Sequence, residues 1–174
     1  MEEDDEVIDK LKEFHGHICP GLLIGYQVSN IFLREFKKPK DVEIVAIVET
    51  DACSIDAIQF MTGCTLGKGN LIIRNYGKHV YTFINRKSRD AIRIALDFEK
   101  AKNFDWSKGK IPPKDMFNIK RMKIKRLPRK ARIRESIRCE MCGEGVMKGK
   151  ERKFKGKIIC IPCYKSLLRN SKNL

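Results

Sequence analysis

No stretch of this sequence is long and apolar enough to span a bilayer. The longest uncharged run, Ile18 to Leu33, falls short of the ~20 residues a membrane helix needs and carries Pro20, Gln27, Ser29 and Asn30. No secretory leader is expected either, because MEEDDEVIDK is acidic where a leader is basic and then apolar. The expected location is therefore the cytoplasm, where thiols stay reduced. The seven cysteines then point to metal binding or thiol chemistry rather than to structural disulfides. Internal repeats and low-complexity tracts are absent. So is the full phosphate-loop pattern: GKGN at 67–70 is a flexible basic loop that could hold an anion, a weak signal alone.

What the sequence has in excess is positive charge, unevenly placed. Met1 to Ser107 holds 15 Lys/Arg against 17 Asp/Glu, whereas Lys108 to Leu174 holds 22 against 5. The net +15 thus belongs to the C-terminal third, which suggests parts with different duties. Nine of the fifteen residues from Lys120 to Arg134 are Lys or Arg, with no acid. Such a run reads as a solvated basic linker or as a contact for nucleic acid or an acidic protein. Few aromatics interleave with it, so a base-stacking surface is not indicated.

Periodicity predicts an α+β fold. Val7 to Phe14 reads as a short amphipathic helix with Val7, Ile8, Leu11 and Phe14 on one side, and Pro20 suits the first turn of a second helix reaching Phe36 before the break at KKPKD. DVEIVAIVET reads as a strand covered on both faces. SIDAIQFMT reads as a helix with Ile55, Ile58 and Met61 or Thr62 turned inward, stopped by Gly63. LIIRNY and HVYTFIN form an expected hairpin about GK, and Ser88 an expected cap for a helix through RDAIRIALDFEKA. The expected architecture is a mixed or antiparallel sheet with packed helices over 1–104, a basic linker over 105–134, and a small four-cysteine domain over 135–174.

In that last part, Cys139-x2-Cys142 and Cys160-x2-Cys163 stand 17 residues apart. Each C-x-x-C brings two thiolates to one ion from a tight turn, and Gly143 lets the backbone curl beneath it. Two such pairs supply the closed four-thiolate set of structural zinc, with iron the other candidate, in a zinc-ribbon or treble-clef-like module. A hairpin around KG and a short helix from YKSLLRNSKNL complete it. With so little core of its own, the module should take its folding free energy from the metal.

FHGHICPGLLIG raises a different question. Cys19 precedes Pro20 and so sits at a helix N-cap, where free N–H groups and the dipole favour a thiolate. His15, His17 and Cys19 alternate, which in an extended approach puts them on one side. Either a mixed N/S metal site or an activated nucleophile fits. Further on, Glu49, Asp51 and Cys53 alternate at a strand end, Cys53 and Asp56 lie one helical turn apart, and Cys64 follows the Gly63 stop. An inert buried cysteine remains the plain alternative for any one of the three.

FHGHICPGLLIG, DACSIDAIQFMTGCTLGKGNL and the closing four-cysteine module together resemble the formylmethanofuran dehydrogenase E-subunit family. The resemblance implies an α+β core with a Cys/His site, a zinc-finger-like C-terminal domain and homodimers. It implies site positions at His17, Cys19 and Cys64, candidate ligands of a second metal ion, with His15, Cys53 and Asp56 close by; the catalytic candidates are His17, Cys19, Cys53, Asp56 and Cys64. It also implies association with the molybdenum or tungsten enzyme of one-carbon metabolism in methanogenesis, as a metal-binding accessory protein or enzyme partnered with its subunits. Nothing in the chain resembles a molybdopterin-binding catalytic subunit. The alternative function is a zinc-ribbon interaction or regulatory protein that binds nucleic acid or an acidic partner through the basic C-terminal third.

Overall fold

The computed structural model describes residues 2–36 and 43–170 of the chain, which divide into two compact units, 1–131 and 132–174. The break expected at KKPKD lies outside the described residues. No helix among the described residues is long and apolar enough to cross a membrane.

In the first unit, α1 (Glu2–His15) begins earlier than its apolar pattern suggests. Asp5 and Glu6, just before Val7, suit the N-terminal part of a helix, where the macrodipole favours negative charge. Gly16, at φ +97°, ends it. Leu11 is buried, with Val7 and Ile8 packed beside it. Phe14 instead stays exposed, its ring 5.7 Å from that of Phe60. α2 (Pro20–Phe36) starts and stops as expected and buries most of its length.

β1 (Ile44–Val48) occupies the middle of the sheet half that forms next. α3 (Ser54–Thr62) follows, ending on Gly63 in the left-handed region. β2 (Leu71–Ile73) then pairs parallel to β1 on one side, and β3 (Val80–Asn85) pairs antiparallel to it on the other. The expected β2–β3 hairpin is therefore absent, because β1 lies between its arms. The Glu49 carbonyl accepts from both Tyr76 and Lys78 N–H at 2.9 Å, and this carries the connection across the end of β1.

A second expectation also fails. Asp90–Leu96 is not a helix capped by Ser88 but strand β4, antiparallel to β3. Asn85 Oδ1 accepts from Lys87 and Ser88 N–H and turns the chain back, so Ile92 and Ile94 land in the core beside Phe83 and Tyr81. Neighbouring strands override the helical period. Only α4 (Phe98–Lys102) is helical, and Asp97 caps it by accepting from Glu99 and Lys100 N–H.

The third correction concerns the linker. Phe117–Lys123 is β5, paired with β4 over seven residues, so the unit runs well past 104 and the sheet order is β2-β1-β3-β4-β5. Lys120, Arg121 and Lys123 belong to an edge strand, where charge discourages pairing with other chains. Arg121 forks onto Glu35 of α2 at 2.8 and 2.6 Å.

Ile24, Val28, Ile31 and Phe32 of α2 and Ile55 and Ile58 of α3 cover one face of the sheet, with Phe32 stacked on Phe83 at 4.2 Å. The two helices meet with almost no space between backbones. A Cβ at Gly25 would stand 2.3 Å from the Ser54 carbonyl oxygen, and one at Gly21 would stand 3.1 Å from the Cys53 Cβ.

The second unit comprises two small hairpins and a helix. β6 (Ser136–Arg138) pairs with β7 (Gly145–Met147), and β8 (Arg152–Phe154) pairs with β9 (Lys157–Ile159) around Lys155-Gly156. α5 (Ile161–Asn170) closes it.

Helix propensity alone favours Gly25→Ala by about 1 kcal/mol. The backbone oxygen it meets cannot move aside, so the substitution is expected to destabilise the first unit by about 3 kcal/mol. Gly67→Ala, with nothing within 4 Å, should change stability by less than about 0.5 kcal/mol. Thermal or denaturant unfolding of the two variants measures the contrast, and a stabilised Gly25→Ala would refute the close contact.

Candidate metal and thiol sites

The ends of α1 and α2 build the core site. His15 is the last residue of α1, and the turn through Gly16 delivers His17 and Cys19 to the same place. One ligand atom from each of His15, His17 and Cys19 lies within 4.8 Å of the others, and the two imidazoles are 4.7 Å apart between centroids. The expected alternation is met in effect, though His15 is helical rather than extended. Cys19 Sγ accepts from Leu22 N–H at 3.4 Å, the N-cap bond that its place before Pro20 foretells.

α3 supplies the support. Asp56 Oδ2 accepts from His15 Nδ1 at 2.7 Å, and the other ring nitrogen, Nε2, stands 3.7 Å from Cys19 Sγ. In a tetrahedral zinc site, bond lengths of ~2.05 Å to nitrogen and ~2.3 Å to sulfur place such donors about 3.5 Å apart. A carboxylate behind a ligating histidine is the usual orienting partner. The three donors therefore fit a metal with an open position, His17 lying on the exposed side.

Cys53 also belongs here. It is the exposed N-cap residue of α3, and its Cβ stands 3.1 Å from where a Cβ at Gly21, two residues after Cys19, would lie. Partial burial, and then the neighbouring Cys19, push its thiol pKa up.

Cys64 does not. It is fully buried among Val28, Ile44 and Ile58 with Sγ 3.8 Å from the Ile44 carbonyl oxygen, and burial pushes its thiol pKa up. The reason is length: α3 has nine residues and so runs about 13 Å, putting Asp56 in its first turn and Cys64 beyond its far end. The implied trio of His17, Cys19 and Cys64 is thus replaced by His15, His17 and Cys19. In GKGN, Asn70 is structural: it is buried, donating to the Ile44 carbonyl and accepting from Thr65 N–H, while Gly67 and Lys68 are exposed.

One buried chain escaped the sequence reading. His79 Nδ1 is 2.8 Å from Tyr81 Oη, which donates to Ser54 Oγ at 2.8 Å. Burial lowers the His79 pKa and raises that of Tyr81 far above the usual phenol range. The i, i+2 spacing of His79 and Tyr81 on a strand was the available signal; Ser54, from a distant helix, gave none.

In the second unit, Cys139, Cys142, Cys160 and Cys163 have sulfurs within 4.8 Å of one another, with Cys139–Cys163 at 3.9 Å and Cys142–Cys160 at 3.8 Å. Four sulfurs at ~2.3 Å from a tetrahedral zinc stand about 3.8 Å apart, so the set fits. Gly143, at φ +81°, turns its N–H to the Cys139 carbonyl at 2.9 Å. Cys139 Sγ also accepts from Cys160 N–H at 3.2 Å. Backbone donors, that of Cys142 foremost, pull the Cys139 pKa down to about 6, whereas Cys163 is pushed up to about 12, chiefly by its bond to Cys160. Four thiolates this close need a cation to ionise together.

Ile137, Val146, Phe154, Ile159 and Tyr164 make up little more than one small apolar cluster around these sulfurs. Stripping the metal with a chelator, or Cys160→Ser, should unfold residues 132–170 and expose them to protease while the 1–131 unit stays protected. The metal contribution at stake is about 10–16 kcal/mol. Protection of both units after complete metal removal would refute it.

The chain matches the family described as FmdE, molybdenum formylmethanofuran dehydrogenase operon, over residues 14–138. The match ends one residue before Cys139, so the four-cysteine cluster lies beyond it. A protein of Archaeoglobus fulgidus, described as a probable S-adenosyl-L-methionine-binding protein, is 29% identical over 177 aligned residues, covering 79% of this chain and 48% of that one. The chain thus spans about half the length of that curated relative. A crystal structure of a tungsten formylmethanofuran dehydrogenase FmdE-like protein from Syntrophus aciditrophicus shares the fold, with a TM-score of 0.70 at 23% identity over 94% of this chain and 92% of that one. Since the matched span takes in the whole sheet, α2, α3 and every residue of the core site, the protein belongs to the FmdE family.

Proposed function

We propose that the chain is a metal-dependent accessory protein or enzyme of the molybdenum or tungsten formylmethanofuran dehydrogenase pathway. In this reading it holds a structural zinc at the four cysteines and a second ion at His15, His17 and Cys19. The observation that carries it is the convergence of these three donors with Asp56 locked behind His15. A bound ion with an open position would supply Lewis acidity or lower the pKa of a coordinated water. The chain's own residues do the rest: Asp56 orients the His15 ring, Leu22 N–H donates to Cys19 Sγ, and His17 faces solvent. The same reading makes the chain a cytoplasmic homodimer that docks on subunits of the molybdenum or tungsten enzyme. The S-adenosyl-L-methionine in the description of the A. fulgidus relative is assigned to no residue here, because half of that protein lies outside the match.

Metal analysis of the purified chain should give two ions per chain, falling to one in His17→Ala or Cys19→Ser. Asp56→Asn should keep the site but weaken its affinity 10- to 100-fold. With cobalt in place of zinc, the core thiolate-to-metal absorption should vanish in Cys19→Ser. One ion in every variant would overturn the reading.

A second reading rests on exposed charge. Lys125, Arg126, Arg129, Lys130, Arg132 and Arg134 are all exposed, and they lie beyond the edge strand that accounts for the earlier part of the basic run. Such a stretch suits the phosphate backbone of a nucleic acid or an acidic protein. If it binds RNA or DNA, affinity should fall steeply with salt, and neutralising these six should cut the slope by several units, about 0.7–0.9 per phosphate contact. No binding at low salt would remove this reading.

A further inference from the structure

We propose that the sheet face turned away from α2 and α3 carries a binding site for a phosphorylated compound with a flat apolar body, of the nucleoside diphosphate or triphosphate class. The site is a cleft of about 570 Å³, within the about 300–1,000 Å³ usual for small-molecule pockets. Its floor is the sheet itself. Ala46, Val48, Tyr81 and Phe83 pack in the core beneath the helices, so their alternating neighbours Ile47, Thr82 and Ile84 face the other way. These three line the cleft.

The segment that follows β5 forms the wall, and it is tied down along its length. Ile124 N–H donates to the Arg89 carbonyl at 2.9 Å, and Arg86 Nη1 donates to the Pro128 carbonyl at 2.8 Å. Ala131 packs so near Gly69 that a Cβ on that glycine would stand 2.7 Å from its own. Ile124 and Leu127 line the cleft from this wall and, with Ile47 and Ile84, give it an apolar surface. Arg126 and Arg129 come from the same segment, whereas Arg74 comes from the residue after β2.

Charge decides what the cleft takes. Arg74, Arg126 and Arg129 are exposed, and among the described residues none of their guanidinium groups has an ion-pair or hydrogen-bond partner. The one acid lining the cleft, Glu49, already has Arg93 at 3.9 Å. Free guanidinium forks suit phosphate oxygens, which they bind in pairs. Inorganic phosphate alone would leave the apolar floor uncovered. A nucleotide uses both features, its phosphates on the arginines and its base on the isoleucines. The cleft goes beyond the nucleic-acid reading above, because Arg74 stands outside the basic run.

Titration calorimetry of the full chain at low salt, with ADP, inorganic pyrophosphate and adenosine, tests the site. ADP should bind at one per chain. Pyrophosphate should bind about tenfold more weakly, the loss expected when one face of a base is no longer buried, and adenosine more weakly again. Arg74→Ala and Arg126→Ala should each weaken ADP about 10- to 100-fold. The double variant Lys125→Ala, Lys130→Ala removes two exposed charges of the same segment that do not line the cleft, and should weaken ADP less than about threefold. All four side chains are exposed, so unfolding midpoints should not change. No ADP binding at millimolar concentration, equal losses in the arginine and lysine variants, or pyrophosphate as tight as ADP would overturn the assignment. A single-stranded oligonucleotide titrated in parallel keeps the two readings apart. Oligonucleotide binding without ADP binding refutes the cleft alone, and ADP binding without oligonucleotide binding upholds the cleft and refutes the nucleic-acid reading.

Discussion

The core site of the first unit depends on how closely the N-terminal halves of α2 and α3 approach. Two glycines on α2 make that approach possible, and the Ser54 carbonyl and Cys53 Cβ occupy the space that side chains would take. The consequence is chemical as much as structural. Asp56 reaches His15, and Ser54 is held where the Tyr81 hydroxyl can reach it. Each of these pairs joins α3 to another element.

The two units are stabilised by different physics. In the first, two helices cover one face of a five-stranded sheet and bury large apolar side chains such as Phe32, Phe83 and Ile92, so hydrophobic burial suffices. The second has two three-residue hairpin pairs and one helix around four sulfurs. Hairpins of that size are marginal alone, which leaves coordination as the main cohesive force. The family match stops at residue 138, inside the second unit and one residue before its first cysteine.

Local chemistry was readable in the sequence, and pairing between distant segments was not. Pro20, Gly63 and the two C-x-x-C pairs each act within a turn, so α2, the end of α3 and the four-cysteine cluster follow from residue type and spacing. Asp90–Leu96 reads as a helix because its apolar residues fit either period, and only β3 and β5 decide for a strand. Lys120 to Arg134 reads as a linker because edge-strand charge and solvated charge look alike in one dimension. At the site, His15, His17 and Cys19 are neighbours in the chain and were legible. Cys64 misled because its distance from the site is set by the length of α3 rather than by any property of cysteine.

The place of β1 in the sheet bears on how the chain folds. A β2–β3 hairpin would have closed through a short loop at little entropic cost, but β1 separates the two arms. Its partners at Leu71 and Tyr81 are brought in only after α3 and its following loop have been gathered up, and such non-local closure slows folding. Only the β3–β4 pairing is local; β4–β5, like β1–β2, joins residues more than twenty positions apart. The sheet therefore has a kinetic polarity: the β3–β4 hairpin can form early, and the other strands join it through longer closures. The site around Asp56 is then assembled only after that hairpin has a sheet to grow from.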